Sequence, residues 1–121
     1  MSSRVLTAMS ESTLQTAVLD LAARLHLRVA HFRPALVGGR WMTPVAADGA
    51  GWPDLVIVGA RGVLYRELKA ARGRLSAAQR TWLDALAEAG CDARVWTPDD
   101  WQDRRVLAEM AAIARRKPAR P

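Results

Sequence analysis

Cysteine is nearly missing from this 121-residue chain: Cys91 stands alone, so no internal disulfide can form, and a reducing cytoplasm is the expected compartment. Histidine is almost as scarce. His26 and His31 have no third histidine or cysteine near them, which argues against a zinc centre. No apolar run approaches the roughly 18 residues of a membrane span, and the opening MSSRVLTAMSES lacks the hydrophobic block of a signal peptide, so no membrane partner is expected. Lysine is rare too, with 2 residues against 16 arginines. What remains is ordinary globular material, 50% hydrophobic and 25% charged, with room for one domain over 1–114 and a basic tail over 115–121. The tail reads either as a solubilising, disordered end or as a phosphate-binding arm.

The formal charge of +6 points to an anionic partner, and its distribution sharpens the point. Residues 24–80 hold ten basic side chains and three acids, Asp48, Asp54 and Glu67, whereas 81–114 are net acidic. Any acid kept in the basic middle needs a reason.

The pattern of elements is readable. Leu14, Val18, Leu21, Ala22 and Leu25 recur at helical spacing behind a Ser10 N-cap, which predicts a helix from about 10 to 25. RVAHF, 28–32, reads as a strand. Residues 33–51, rich in glycine and proline, read as a long loop or a loose hairpin, and loops of this length in compact domains are usually functional. DLVIV and VLYRELK flank a short turn bounded by Gly59 and Gly62, a hairpin signal. Ser76 and Gln79 form a capping box ahead of a helix that stops at Gly90. DARVW, 92–96, is a last strand, and Thr97-Pro98 opens a final helix to about Arg116. The order α-β-β-β-α-β-α predicts an α/β fold, a mixed sheet flanked by helices, with a parallel crossover between the strands at 63–69 and 92–96.

The hairpin carries the chemistry. A turn centred on the Ala60–Arg61 bond places Asp54 opposite Glu67, with Cβ atoms roughly 5 Å apart. Lys69, two residues on, projects from the same face. Two carboxylates so placed repel unless a cation or proton intervenes. Hard oxygen ligands beside an ammonium suit magnesium, and a lysine here goes against the chain's preference for arginine. The competing reading is a surface strand with a cross-strand ion pair.

These residues resemble a known family. GWPDLVIV followed by YRELKA is similar to the PD-(D/E)XK nuclease superfamily with its restriction-endonuclease-like fold. Gly51 two residues before Pro53-Asp54, the ELK form and Gln79 ten residues after Lys69 resemble its VRR-NUC (virus-type replication-repair nuclease) branch, which has small stand-alone phage members. The resemblance implies a Mg2+- or Mn2+-dependent DNA endonuclease, structure-selective for branched or junction DNA in replication, recombination or repair, and a homodimer. It also implies that Asp54, Glu67 and the Leu68 carbonyl hold the metal, that Lys69 orients or activates water, and that Glu11 and Gln79 match the family's additional acid and glutamine. Glu11 reads otherwise as a first-turn acid facing the helix dipole, although its spacing to Leu14 and Val18 puts it on the buried stripe. Gln79 reads otherwise as a capping residue only.

DNA contacts are expected from Arg72 and Arg74, flanking Gly73 after the catalytic strand, and from Arg33, Arg40 and Trp41 in the long loop, where Trp41 and Trp52 can stack on unpaired bases. A solvated basic turn is the other reading of Arg72 and Arg74. The alternative to an enzyme is a non-catalytic nucleic-acid-binding module on the same fold.

Overall fold

A computed structural model describes residues 9–42 and 44–115. The elements are α1 (Glu11–Arg24), β1 (Arg28–His31), β2 (Ala35–Val37), β3 (Arg40–Met42), β4 (Leu55–Gly59), β5 (Gly62–Leu68), α2 (Ala77–Glu88), β6 (Asp92–Trp96), α3 (Pro98–Gln102) and α4 (Arg105–Ile113). Both predicted N-caps are present. The Ser10 hydroxyl accepts the Thr13 N–H at 3.0 Å, and Ser76 and Gln79 close a reciprocal capping box.

The main sheet has the order β1-β4-β5-β6. β1, β4 and β5 run antiparallel, and β6 joins β5 in parallel with α2 as the crossover. The expected mixed sheet flanked by helices is therefore the observed fold. Strand alternation sends Leu55, Ile57, Leu64 and Leu68 to one face, where they meet Leu14, Val18 and Ala22 of α1 and Val106, Met110 and Ile113 of α4 in the core. Tyr65 and Glu67 point to the opposite face. There the Tyr65 ring meets Trp52, which in turn packs edge-on against Trp82 of α2.

Of the two readings of 33–51, the hairpin is the one observed: the segment contains a separate two-stranded ladder, β2–β3, turning at Gly38-Gly39, both with positive φ. The final helix is broken: α3 ends at Gln102, Arg104 takes φ 62°, and α4 ends at Ile113. The break re-phases the apolar stripe so that Val106, Met110 and Ile113 face the core. That stripe is consumed internally. The basic tail lies, except for Arg115, outside the described residues. No described helix is long and apolar enough to cross a membrane.

Candidate metal centre

The β4–β5 ladder runs from Gly59↔Gly62 to Leu55↔Arg66, and continuing the register one step places Asp54 across from Glu67 as the symmetric turn predicts. β4 ends there because Pro53 cannot donate to a ladder. Beyond the last pair, the Leu68 N–H finds its acceptor in the Asp54 side chain, Oδ2, at 2.8 Å. The Asp54 carbonyl accepts the Phe32 N–H at 2.8 Å. Asp54 is thus pinned between the ends of β1 and β5.

Glu67 is only 2% exposed, which removes the surface ion-pair reading. Its Oε2 accepts the Gln79 Nε2–H at 2.9 Å and lies 3.6 Å from Lys69 Nζ. Its Oε1 is buried, and no donor reaches it. Burial, then the neighbouring Asp54 charge, push the Glu67 carboxyl up to about 8, against partial relief from Lys69. Asp54 is also raised, chiefly by burial, with the Leu68 N–H and Lys69 pulling the other way. In the metal-free protein the pair therefore holds a proton where a cation would satisfy both groups.

Gln79 makes two contacts at once. Its Oε1 accepts the Ser76 N–H at 2.9 Å to cap α2, while its Nε2 reaches Glu67. Lys69 is held by its backbone, whose N–H donates to the Trp96 carbonyl at 3.0 Å and so extends the β5–β6 ladder.

Glu11 does not lie on the buried stripe. It is exposed, because the first turn of α1 overhangs the core that Leu14 and Val18 enter. It does stand within electrostatic reach of the site: its carboxyl is raised by partial burial and by Asp54, and lowered by Lys69. Among the described residues no three His, Cys, Asp or Glu side chains form a metal-binding group by themselves. The side-chain donors are the Asp54–Glu67 pair, with Glu11 at the rim.

Arg33, Arg40, Trp41, Arg72 and Arg74 are all exposed. Trp52 is half-buried, with edge contacts to Phe32 at 5.9 Å, Trp82 at 4.9 Å and Tyr65 at 6.0 Å. Two further residues support the site. Gly51 has φ +86°, and a Cβ there would overlap the Ala78 backbone and the Gln79 nitrogen, so only glycine lets the loop meet the start of α2. Its place two residues before Pro53-Asp54 was the available signal. His31, at the end of β1, has its pKa lowered by burial and by Arg33 while the Asp54 charge pulls the other way; sequence spacing alone did not show this.

A family model for the VRR-NUC domain matches residues 12–99. Among solved structures, one described as a VRR-NUC domain protein superposes with a TM-score of 0.54, at 24% sequence identity over 87% of this chain and 90% of that one, a likeness of fold. No curated protein matches the chain.

Proposed function

The chain belongs to the VRR-NUC domain family, a nuclease-type family, and we propose that it is a Mg2+- or Mn2+-dependent endonuclease that hydrolyses DNA phosphodiester bonds. The observation that carries this reading is the buried Glu67 Oε1, which lacks any donor and adjoins a second carboxyl pinned at the strand end. Hard oxygens in that state suit a hard cation, and magnesium characteristically takes one or two carboxylates and completes its shell with water and substrate phosphate. In this assignment Asp54, Glu67 and the Leu68 carbonyl hold the metal, with Glu11 at the rim.

When bound, such an ion lowers the pKa of water and polarises the phosphate. The chain's own groups do the rest. Gln79 fixes the Glu67 carboxylate through Oε2. Lys69, tied to the sheet by its backbone and 16% exposed at its side chain, orients the attacking water and offsets negative charge at the phosphate. Arg33, Arg40, Arg72 and Arg74 neutralise the DNA backbone. For a branched or two-stranded substrate, the proposal places two copies together so that each strand meets one site.

The test is a panel of labelled duplex, nicked, flap and four-way-junction DNAs incubated with Mg2+, Mn2+ or EDTA, with Asp54→Ala as control. Cleavage that needs metal and is lost in Asp54→Ala is the expected result. Salt-sensitive binding of every DNA with no cleavage under any condition would replace the enzyme with a non-catalytic binding module.

A further inference from the structure

The β2–β3 hairpin is anchored at its base and bare on both faces, Val37 and Met42 being about half exposed on one and Leu36 and Trp41 still more open on the other. Leu36 and Trp41 are partners across the ladder, so their side chains share a face, and they are 60% and 73% exposed. Paired large apolar side chains left this open mark a binding surface. The base, by contrast, is fixed. Phe32, just ahead of the hairpin, donates its N–H to the Asp54 carbonyl, and its ring packs on Trp52. Only Arg33 and Pro34 separate Phe32 from β2, so the hairpin begins within about 15 Å of Asp54.

Charge selects the occupant. Between Asp20 and Asp48 the chain has no acid and four arginines, at 24, 28, 33 and 40. A second copy packed hairpin to hairpin would bring two such acid-free basic segments together. A polyanion carrying flat apolar groups has no such penalty. Nucleic acid with unpaired bases has that chemistry: arginines meet phosphates, and an aromatic and an aliphatic side chain meet base faces or wedge between base steps.

We propose that the Leu36–Trp41 face is a base-binding wedge that receives unpaired nucleobases of the strand entering the metal centre, with phosphates met by Arg33 just ahead of β2 and by Arg40, which the ladder pairs with Val37 on the ribbon's other face. The inference rests on the nuclease reading and narrows its substrate class to DNA with single-stranded or splayed bases beside the cleavage point. Base stacking is tolerant of sequence, so the wedge selects structure.

The experiment measures fluorescence anisotropy in EDTA, where no cleavage occurs, with a forked DNA and a fully paired duplex of equal length. Wild type should prefer the fork. Trp41→Ala should weaken fork binding about tenfold and erase the preference, whereas Trp41→Phe should keep most of it. A preference unchanged in Trp41→Ala overturns the wedge, and so does wild type that binds the two DNAs equally. Sedimentation of the same proteins covers the other occupant: a dimer that becomes monomeric in Trp41→Ala assigns the face to a second copy and likewise overturns the wedge. Metal-dependent cleavage by a protein with an indifferent Trp41 would remove the wedge and leave the nuclease. Failure to bind or cleave any DNA would remove both.

Discussion

Glu67 decides the behaviour of the metal-free protein. In the unfolded chain its carboxyl titrates near the ordinary value of 4.5, whereas in the folded protein burial and Asp54 push it up to about 8. Between those values the folded state holds a proton that the unfolded state has released, so raising the pH favours unfolding. Below 4.5 both states are protonated and the effect vanishes. We expect the metal-free thermal midpoint to fall by several degrees, in order of magnitude, between pH 5 and pH 8. Asp54→Ala removes the facing carboxyl, so its midpoint at pH 8 should equal or exceed that of wild type. Added Mn2+ should raise the wild-type midpoint and release protons on binding. A midpoint that climbs with pH across this window in the metal-free protein would show that the pair is already ionised and compensated. The same residue shows why charge counting alone could not assign the site. Sequence placed Asp54, Glu67 and Lys69 on one face, but the burial that distinguishes a functional pair from a surface ion pair comes from the α2 side of the sheet.

Each element near the site was legible where a local device fixes it. The two-residue turn between Gly59 and Gly62 made the β4–β5 register computable, and the Ser10 and Ser76 caps marked the helix starts. Elements whose form depends on tertiary packing were not. The gap of five between Trp101 and Val106, too long for one helical stripe, was the available sign of the α3–α4 break, yet Asp103 and Arg104 carry no proline or glycine to announce it. Arg66 was invisible for the same reason. On the face of β5 opposite Glu67 it is fully buried, with Nη1 donating to the Asp92 carbonyl at 2.7 Å and Nη2 to Asp92 Oδ1 and Glu109 Oε1 at 2.9 Å each. Trp96 Nε1–H donates to the same Glu109 oxygen at 2.8 Å, and the guanidinium lies 4.9 Å from the centroid of the Trp96 ring. This network ties β5 to β6 and α4. Arg66→Ala strands a carboxylate in a mostly buried setting and should cost about 3–5 kcal/mol in urea unfolding, with Arg66→Met/Glu109→Leu recovering part of it. A loss below about 1 kcal/mol would mean that the network is solvated. At α2 the two roles of Gln79 separate cleanly. Ser76→Ala weakens the cap by about 1 kcal/mol and should leave cleavage intact. Gln79→Met also frees Glu67 Oε2 and should raise the metal concentration needed for cleavage at least about tenfold. Equal cleavage by the two variants would reduce Gln79 to a cap.

At the scale of the molecule, basic and acidic regions are segregated along the chain. The arginine-rich middle supplies the hairpin, the site and the turn after β5, while 81–114 is net acidic, and its Glu109 pairs with Arg66 and Arg94 on the face of the sheet opposite Glu67. That separation favours approach of a polyanion to the site's side of the sheet, and binding should weaken steeply with salt. The proposed homodimer must use a surface other than α4, whose apolar residues are in the core. Light scattering at tens of micromolar, with and without junction DNA, should show twice the monomer mass in at least one condition; a monomer in both would exclude paired sites. The central claim, that Asp54, Glu67 and Lys69 form a hydrolytic metal centre, meets its most direct test in single-turnover cleavage by wild type, Asp54→Ala and Lys69→Arg at saturating enzyme. Arginine preserves the charge at position 69, but its wide guanidinium displaces water and its very high pKa bars proton exchange. The account predicts no metal-dependent cleavage by Asp54→Ala and cleavage at least roughly a hundredfold slower by Lys69→Arg, with near-normal DNA binding. Asp54→Ala cutting at the wild-type rate would contradict it.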